Sequence, residues 1–276
     1  ISHFIEHMAF KGTRSRDCQR INLDAERLGA EVNAHTDKNH TAFHMRGLAR
    51  DAGAFLRMLG DIVRESTFPE AELERERQVI LHEYTEDEDD ALSTAFRLFD
   101  KACYGEHSMG RPVIGGRANI RRFTRAELVA YVERQYTGAN VVVGIAGNVD
   151  ADRIVAEALA AFGDMPGGSD NLVAAPDYVG GIRSRRLTGY SQAHAVLGFP
   201  VPGLLGEYQG AVVAAALFGE GMSSPLLDQV RERRGLAYSV GSGYGYLADA
   251  GVFTISAGVN RDKLREIEGL ISGLPF

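Results

Sequence analysis

The sequence has 276 residues, of which 45% are hydrophobic, with a formal net charge of −7 at pH 7 and two cysteines. This length suffices for one large or two medium domains, and the acidic balance argues against a nucleic-acid partner, which needs a basic surface. No apolar run reaches the roughly 18 residues of a membrane-spanning helix, so no membrane span is predicted.

The chain begins inside a motif and without an initiator methionine. We expect it to be a fragment that lacks residues at both ends. The predicted location is the cytoplasm, with the periplasm or an organelle as alternatives. Cys18 and Cys103 do not form a disulfide framework and are predicted to be free thiols.

The first predicted helix, residues 1–11, carries His3, Glu6 and His7. The histidines are four residues apart and therefore lie on one face of the helix, and Glu6 lies on the same side. The remainder of that helix is apolar. The polar groups of these three side chains need binding partners in such surroundings, and a metal ion is the obvious candidate. The alternative is two ordinary helix histidines and an exposed glutamate.

Hydrophobic periodicity and turn residues predict the remaining elements. Gly29 is a predicted helix C-cap. Predicted helices lie at 17–29, 50–65, 69–101, 124–136, 151–162, 206–218 and 223–233, and predicted strands at 30–35, 40–47, 140–147, 193–199, 236–246 and 251–259.

This order of elements predicts an α+β protein of two similar sandwich domains, each with an antiparallel-rich sheet packed on helices. The predicted domains are 1–165 and 182–276, joined by a linker at 166–181 that is rich in Pro and Gly. A loose repetition of the element order is weak support for an internal duplication.

The long helix 69–101 is the best source of a third metal ligand. Glu76 and Glu83 are seven residues apart on it and so share a face, and Glu83 lies in an apolar stretch, where an unbound carboxylate is costly. Glu6 would then be free to take a proton from a water activated by the metal and to deliver it to a leaving amine. This is the chemistry of peptide or amide hydrolysis.

The His-x-x-Glu-His motif at residues 3–7 is the inverted zincin signature and continues as Met-Ala-Phe-Lys-Gly-Thr. Together with the stretches at 74–84, 110–115, 140–150 and 219–240, it resembles the pitrilysin family of metallopeptidases, which includes insulysin and the mitochondrial processing peptidases. The resemblance covers nearly the whole chain. It is a resemblance to the short bacterial type of member, and it implies two domains in a clamshell arrangement.

The resemblance implies one zinc per chain, bound by His3, His7 and Glu83, with Glu6 as the general base. It also implies that Glu76 orients a ligand, for which the alternative is a surface charge.

Arg231 and Tyr238 match the family pair that donates to the scissile carbonyl. The alternative is an exposed helix charge and an ordinary strand residue.

Asn33, Ala34 and His35 resemble the strand along which family members lay the substrate backbone. Asn39, and Phe43 with His44, depart from the common pattern, which puts fine specificity in doubt.

The resemblance also implies a closed chamber and a peptide substrate. We expect a homodimer in which Arg231 and Tyr238 act in trans, with a heterodimer with a paralogue as the alternative. The predicted function is zinc-dependent hydrolysis of short unfolded peptides. The alternatives are a processing peptidase for basic segments and a non-catalytic, partner-dependent subunit.

Overall fold

The computed structural model describes residues 1–273, which form two compact units. Unit 1 comprises Ile1–Tyr84 and Val113–Val173, and unit 2 comprises Thr85–Pro112 and Ala174–Phe276. The division after Val173 lies inside the predicted linker. Unit 2 includes Thr85–Pro112, whereas the predicted limits place these residues in the first domain. The domain limits stay a prediction.

The helices and strands follow one another as helix pairs and hairpins. In chain order they are α1 Ser2–Ala9, α2 Cys18–Arg27, β1 Glu31–Thr36, β2 Thr41–Arg46, α3 Ala52–Arg64, α4 Glu70–Asp89, α5 Ala91–Tyr104, α6 Arg117–Arg122, α7 Arg125–Gln135, α8 Ala151–Phe162, β3 Gln192–Val201, α9 Gln209–Ala215, α10 Pro225–Leu227, β4 Ala237–Tyr246, β5 Gly251–Asn260 and α11 Leu264–Ser272.

In unit 1, β1 and β2 form an antiparallel hairpin in which Asn33 pairs with His44 and Thr36 with Thr41. Helix α2 ends at Arg27 with Leu28 as its C-cap, so the predicted C-cap Gly29 lies one residue later, at a φ of 57° that glycine adopts without a steric penalty. The core that supports α1 is built from apolar residues of α1, α4, α6 and α7 and the turn before α4: Phe4, Ile5, Met8, Phe68, Leu73, Ile80, Ile120 and Leu128.

In unit 2, β3, β5 and β4 form an antiparallel sheet with β5 in the centre. Its buried face carries Ile255 and Val259, which cluster with Leu226, Val230 and Ile271 from the helical segments. Both units thus combine helices with antiparallel strands, and the predicted α+β class is confirmed.

The single helix predicted over 69–101 is wrong, because the chain forms two helices there. Asp90 separates them with an extended backbone, and its side chain accepts a hydrogen bond from the Ser93 N–H as the N-cap of α5. A side chain that satisfies an otherwise orphaned N–H at a new helix start explains the interruption.

The strand predicted at 140–147 is also wrong. Residues 141–146 do not form a strand, and Val142 is 94% exposed. A β-branched run forms a strand only where a neighbouring strand pairs its backbone groups, and no such ladder forms there among the described residues.

One described segment, Gln209–Glu232, is long and apolar enough to cross a membrane by length and mean hydropathy alone. Its regular helix ends before Gly221, and a new helix begins at Pro225. Core helices of other proteins pass the same test, so the absence of a membrane span stays a prediction.

Arg77 joins α4 to the α6–α7 segment from a buried position. It is 9% exposed, and its guanidinium donates to the carbonyl oxygens of Ile120 at 2.5 Å and Phe123 at 2.8 Å. The same group lies 5.6 Å from the centre of the Phe4 ring on α1. Arg77 therefore helps to fix α4 and α1 relative to each other.

We expect Arg77→Ala to lower the free energy of unfolding by about 2–4 kcal/mol, because two carbonyl groups lose their donors in a buried place. The matched control is Arg75→Ala, which removes an exposed arginine whose partner is Glu72 on the same helix. Urea unfolding measures both variants. Equal losses for the two would show that the buried contacts of Arg77 contribute nothing specific.

Candidate metal centre

The apolar face of α1 determines where its histidines point. Phe4, Ile5 and Met8 are buried in the core, so His3 and His7 face the opposite side with ring centres 4.7 Å apart. The amphipathic helix predicted from the sequence is confirmed, with polar residues on one side and core residues on the other.

Glu83 of α4 lies close to both histidines. Its Oε2 lies 3.7 Å from His3 Nε2 and 3.4 Å from His7 Nε2, and the three donor atoms lie within 4.8 Å of one another. Ligands about 2.0–2.1 Å from a tetrahedral zinc are about 3.3–3.5 Å apart, so the spacing suits such an ion. Two imidazole nitrogens and one carboxylate oxygen also form a donor set that catalytic zinc uses.

Burial keeps the first histidine in the form that binds metals. The pKa of His3 is lowered, first by burial and then by the neighbouring His7, which outweigh the opposing effect of Glu6. A lowered pKa favours the neutral imidazole at neutral pH, and the neutral ring has the lone pair that a metal requires.

The second histidine is held by a buried carboxylate. His7 Nδ1 lies 3.1 Å from Glu76 Oε2, and Glu76 Oε1 lies 2.6 Å from Lys11 Nζ. Glu76 is 6% exposed. Because a carboxylate oxygen only accepts, His7 Nδ1 carries the proton, and Nε2 is left to face Glu83. His3 lacks this support, since its buried Nδ1 has no hydrogen-bond partner among the described residues.

Glu6 contacts the hairpin. Its Oε2 accepts a hydrogen bond from Thr36 Oγ1 at 2.5 Å, and Thr36 Oγ1 lies 3.3 Å from Thr41 Oγ1 across the strand pair. Burial alternates along β1, so Thr36 faces inward while its neighbour His35 is exposed. The alternation of the strand therefore places a hydroxyl against the predicted general base.

The predicted substrate strand lies in β1. Asn33, Ala34 and His35 pair with His44, Phe43 and Ala42 of β2, and β2 is the one strand neighbour of β1 among the described residues. The Ala34 N–H donates to Asn33 Oδ1 at 2.8 Å. Their role in substrate binding stays a prediction.

Arg231 and Tyr238 lie in unit 2 and meet each other there. The Arg231 guanidinium stands 5.0 Å from the centre of the Tyr238 ring, and Tyr238 is 80% exposed. The structure thus brings the predicted pair of donors together at the surface of that unit, with the phenol in solvent.

Sequence reasoning missed Lys11 and Thr36. Lys11 lies two residues beyond the end of α1. A buried acidic residue such as Glu76 requires a cation nearby, but the sequence does not show that Glu76 is buried. Strand alternation predicts that Thr36 and His35 lie on opposite faces of β1. The sequence does not show that α1 lies on the face of Thr36, so the contact with Glu6 was missed.

Two family profiles match this chain. Residues 1–117 match "Insulinase (Peptidase family M16)", and residues 122–272 match "Peptidase M16 inactive domain".

Bacterial relatives match almost the whole chain. A protein of Rickettsia felis, described as an uncharacterized zinc protease, is 35% identical over 267 residues, which are 96% of this chain and 64% of the relative. YmxG of Bacillus subtilis, described in the same words, is 34% identical and is matched over 98% of this chain and 66% of its own length. The chain therefore spans somewhat less than two thirds of the length of such relatives.

Solved structures share the fold. A protease from Helicobacter pylori superposes with a TM-score of 0.87 at 22% identity, covering 98% of this chain and 69% of that one. A Pseudomonas fluorescens structure, described as a peptidase M16 inactive domain, gives 0.86 at 22% identity, covering 98% and 68%.

We expect Glu76→Gln to weaken zinc binding about 10- to 100-fold, because the amide no longer holds the His7 ring with a charged acceptor. Glu72→Gln, a change at a half-buried glutamate of the same helix that pairs with Arg75, should leave zinc affinity as it is. Competition with a chromophoric chelator measures both affinities. If the two variants bind zinc equally well, Glu76 does not support the metal centre.

Proposed function

The chain belongs to peptidase family M16, and from that premise we propose that it is a zinc-dependent endopeptidase that hydrolyses short, unfolded peptides. The observation that carries the proposal is the convergence of His3, His7 and Glu83 beside the hydrogen-bonded Glu6. These residues retain every group that the chemistry needs. A non-catalytic relative would be expected to have lost one of them.

His3, His7 and Glu83 would hold one zinc ion. Zinc in such a site supplies a Lewis acid that polarises a carbonyl and lowers the pKa of water to about 7. Glu6 takes the proton from the attacking water and delivers it to the amine that leaves when the peptide C–N bond breaks. Glu6 therefore ends the reaction in its starting, ionised form.

The hydrogen bond from Thr36 gives Glu6 a fixed orientation. Because the hydroxyl donates to Oε2, it restricts rotation of the Glu6 side chain. A base that is already oriented loses less entropy in the transition state. The hairpin thus contributes to the proposed catalysis as well as to the predicted binding of substrate.

We assign Arg231 and Tyr238 as donors to the oxyanion that develops on the scissile carbonyl, acting on the zinc centre of a second copy in a homodimer. A guanidinium and a phenol are suitable donors to an oxyanion. The exposure of Tyr238 supports a role outside its own unit, since a phenol that served only the core would be buried. A heterodimer with a paralogue is the competing arrangement.

A processing peptidase for basic segments is less well supported. The acidic run at 85–90 is the feature that would attract arginine-rich substrates, but part of that run has structural partners. Asp87 pairs with Arg97, and Asp90 caps α5. The description of the family profile at 122–272 as inactive fits a second half whose part in the proposed reaction is to contribute Arg231 and Tyr238.

The first test is cleavage of an internally quenched fluorescent peptide by the intact protein. We expect cleavage to stop with a chelator and return with zinc, and Glu6→Gln to cut roughly 10²- to 10⁴-fold more slowly, because the general base is lost. Glu6→Gln should still bind one zinc, and Glu72→Gln should cleave normally. Zinc binding without cleavage of any peptide in a broad library would instead indicate a non-catalytic subunit.

The second test separates action in trans from action within one chain. Glu6→Gln and Arg231→Ala should each be nearly inactive alone. Mixing the two variants under conditions in which dimers exchange subunits should restore activity. The mixed dimer has one site with an intact Glu6 and an intact Arg231 from the other copy. A mixture as inactive as its components would refute the arrangement in trans.

A further inference from the structure

Three histidines gather on the outer side of the β1–β2 hairpin. His35 is the fifth residue of β1, His40 is the last residue of the turn, and His44 lies on β2, and all three are exposed. None of them belongs to the His3–His7–Glu83 cluster. Strand alternation separates the two groups, because Thr36 faces inward to Glu6 while His35 faces outward.

His35 and His40 already stand at the spacing of two ligands on one ion. Their Nε2 atoms are 3.2 Å apart, and their ring planes are almost perpendicular, at 88°. Two nitrogens about 2.0–2.1 Å from a shared metal lie about 2.9 Å apart at a right angle and about 3.4 Å apart in a tetrahedron. The observed separation falls between these limits.

Asn39 prepares His40 for this role. His40 Nδ1 lies 2.7 Å from Asn39 Oδ1, and an amide oxygen only accepts, so His40 carries its proton on Nδ1. Its Nε2 therefore presents a lone pair that accepts a hydrogen bond from His35 Nε2, and an ion at this place would replace that proton. Metal-binding histidines commonly donate their other ring N–H to an oxygen in this way.

A third histidine lies near the pair, and its ring must turn to bring a nitrogen to a shared ion. The His44 ring centre is 5.9 Å from that of His35, and the two residues are diagonal neighbours across the hairpin. Exposed side chains at such positions turn toward each other without disturbing the core. Imidazole donors select zinc, nickel or copper and discriminate against magnesium and calcium, which prefer oxygen.

We propose that His35, His40 and His44 form a second, weaker site for a transition-metal ion of the zinc type on the outer face of the hairpin. The site stands apart from the proposed catalytic zinc and does not depend on the peptidase function. An ion bound there ties the turn at 37–40 to β1 and leaves open coordination positions toward solvent.

The test is zinc titration by calorimetry on the intact protein, after loading one equivalent and removing free metal. We expect one further equivalent to bind. His35→Gln, His40→Gln and His44→Gln should each weaken this second event at least about tenfold, since loss of a ligand costs at least as much as loss of its supporting hydrogen bond. The first equivalent should be retained in all three.

The matched control is His107→Gln, which removes a histidine from unit 2, where its Nε2 lies near the Ala174 carbonyl oxygen. It should leave both binding events unchanged. Absence of a second equivalent, or equal affinity in wild type and His40→Gln, would overturn the proposal. If His44→Gln alone has no effect, His44 is not the third ligand. The substituted side chains are exposed, so misfolding does not obscure the result.

Discussion

The burial of one face of α1 is the constraint on which the candidate metal centre depends. Phe4, Ile5 and Met8 lie in the core with residues of α4, and each such side chain contributes about 1.5–3 kcal/mol by leaving water. A single polar contact at the site contributes about 1 kcal/mol. Apolar packing therefore fixes the rotation of α1, and with it the direction of His3 and His7 toward Glu83, before any metal binds.

The same packing creates an electrostatic requirement that Lys11 meets. Glu76 is buried beside His7, and a buried carboxylate without a partner is costly. The ion pair with Lys11 offsets that cost and leaves the second carboxylate oxygen for the His7 N–H.

The sequence predicted the parts of this arrangement that local pattern and family resemblance determine. The family, the α+β class and the amphipathic α1 were predicted and are confirmed, and the structure brings the predicted ligands His3, His7 and Glu83 together. Their roles stay predictions. The break at Asp90 was not predicted, because a helix periodicity continues across a capping residue. The segment at 140–147 was not predicted correctly, because a strand depends on partners that lie elsewhere in the chain. Thr36 was missed because its contact joins two elements.

The hairpin shows how one strand supplies chemistry to two sides. Its period of two separates neighbouring residues onto opposite faces, so Thr36 reaches Glu6 while His35 reaches His40. A shift of the register by one residue would exchange these partners and would also expose the apolar face that packs on the core. The packing of the inner face therefore fixes the outer face as well. The outer histidines are exposed, so they can be substituted without disturbing that register.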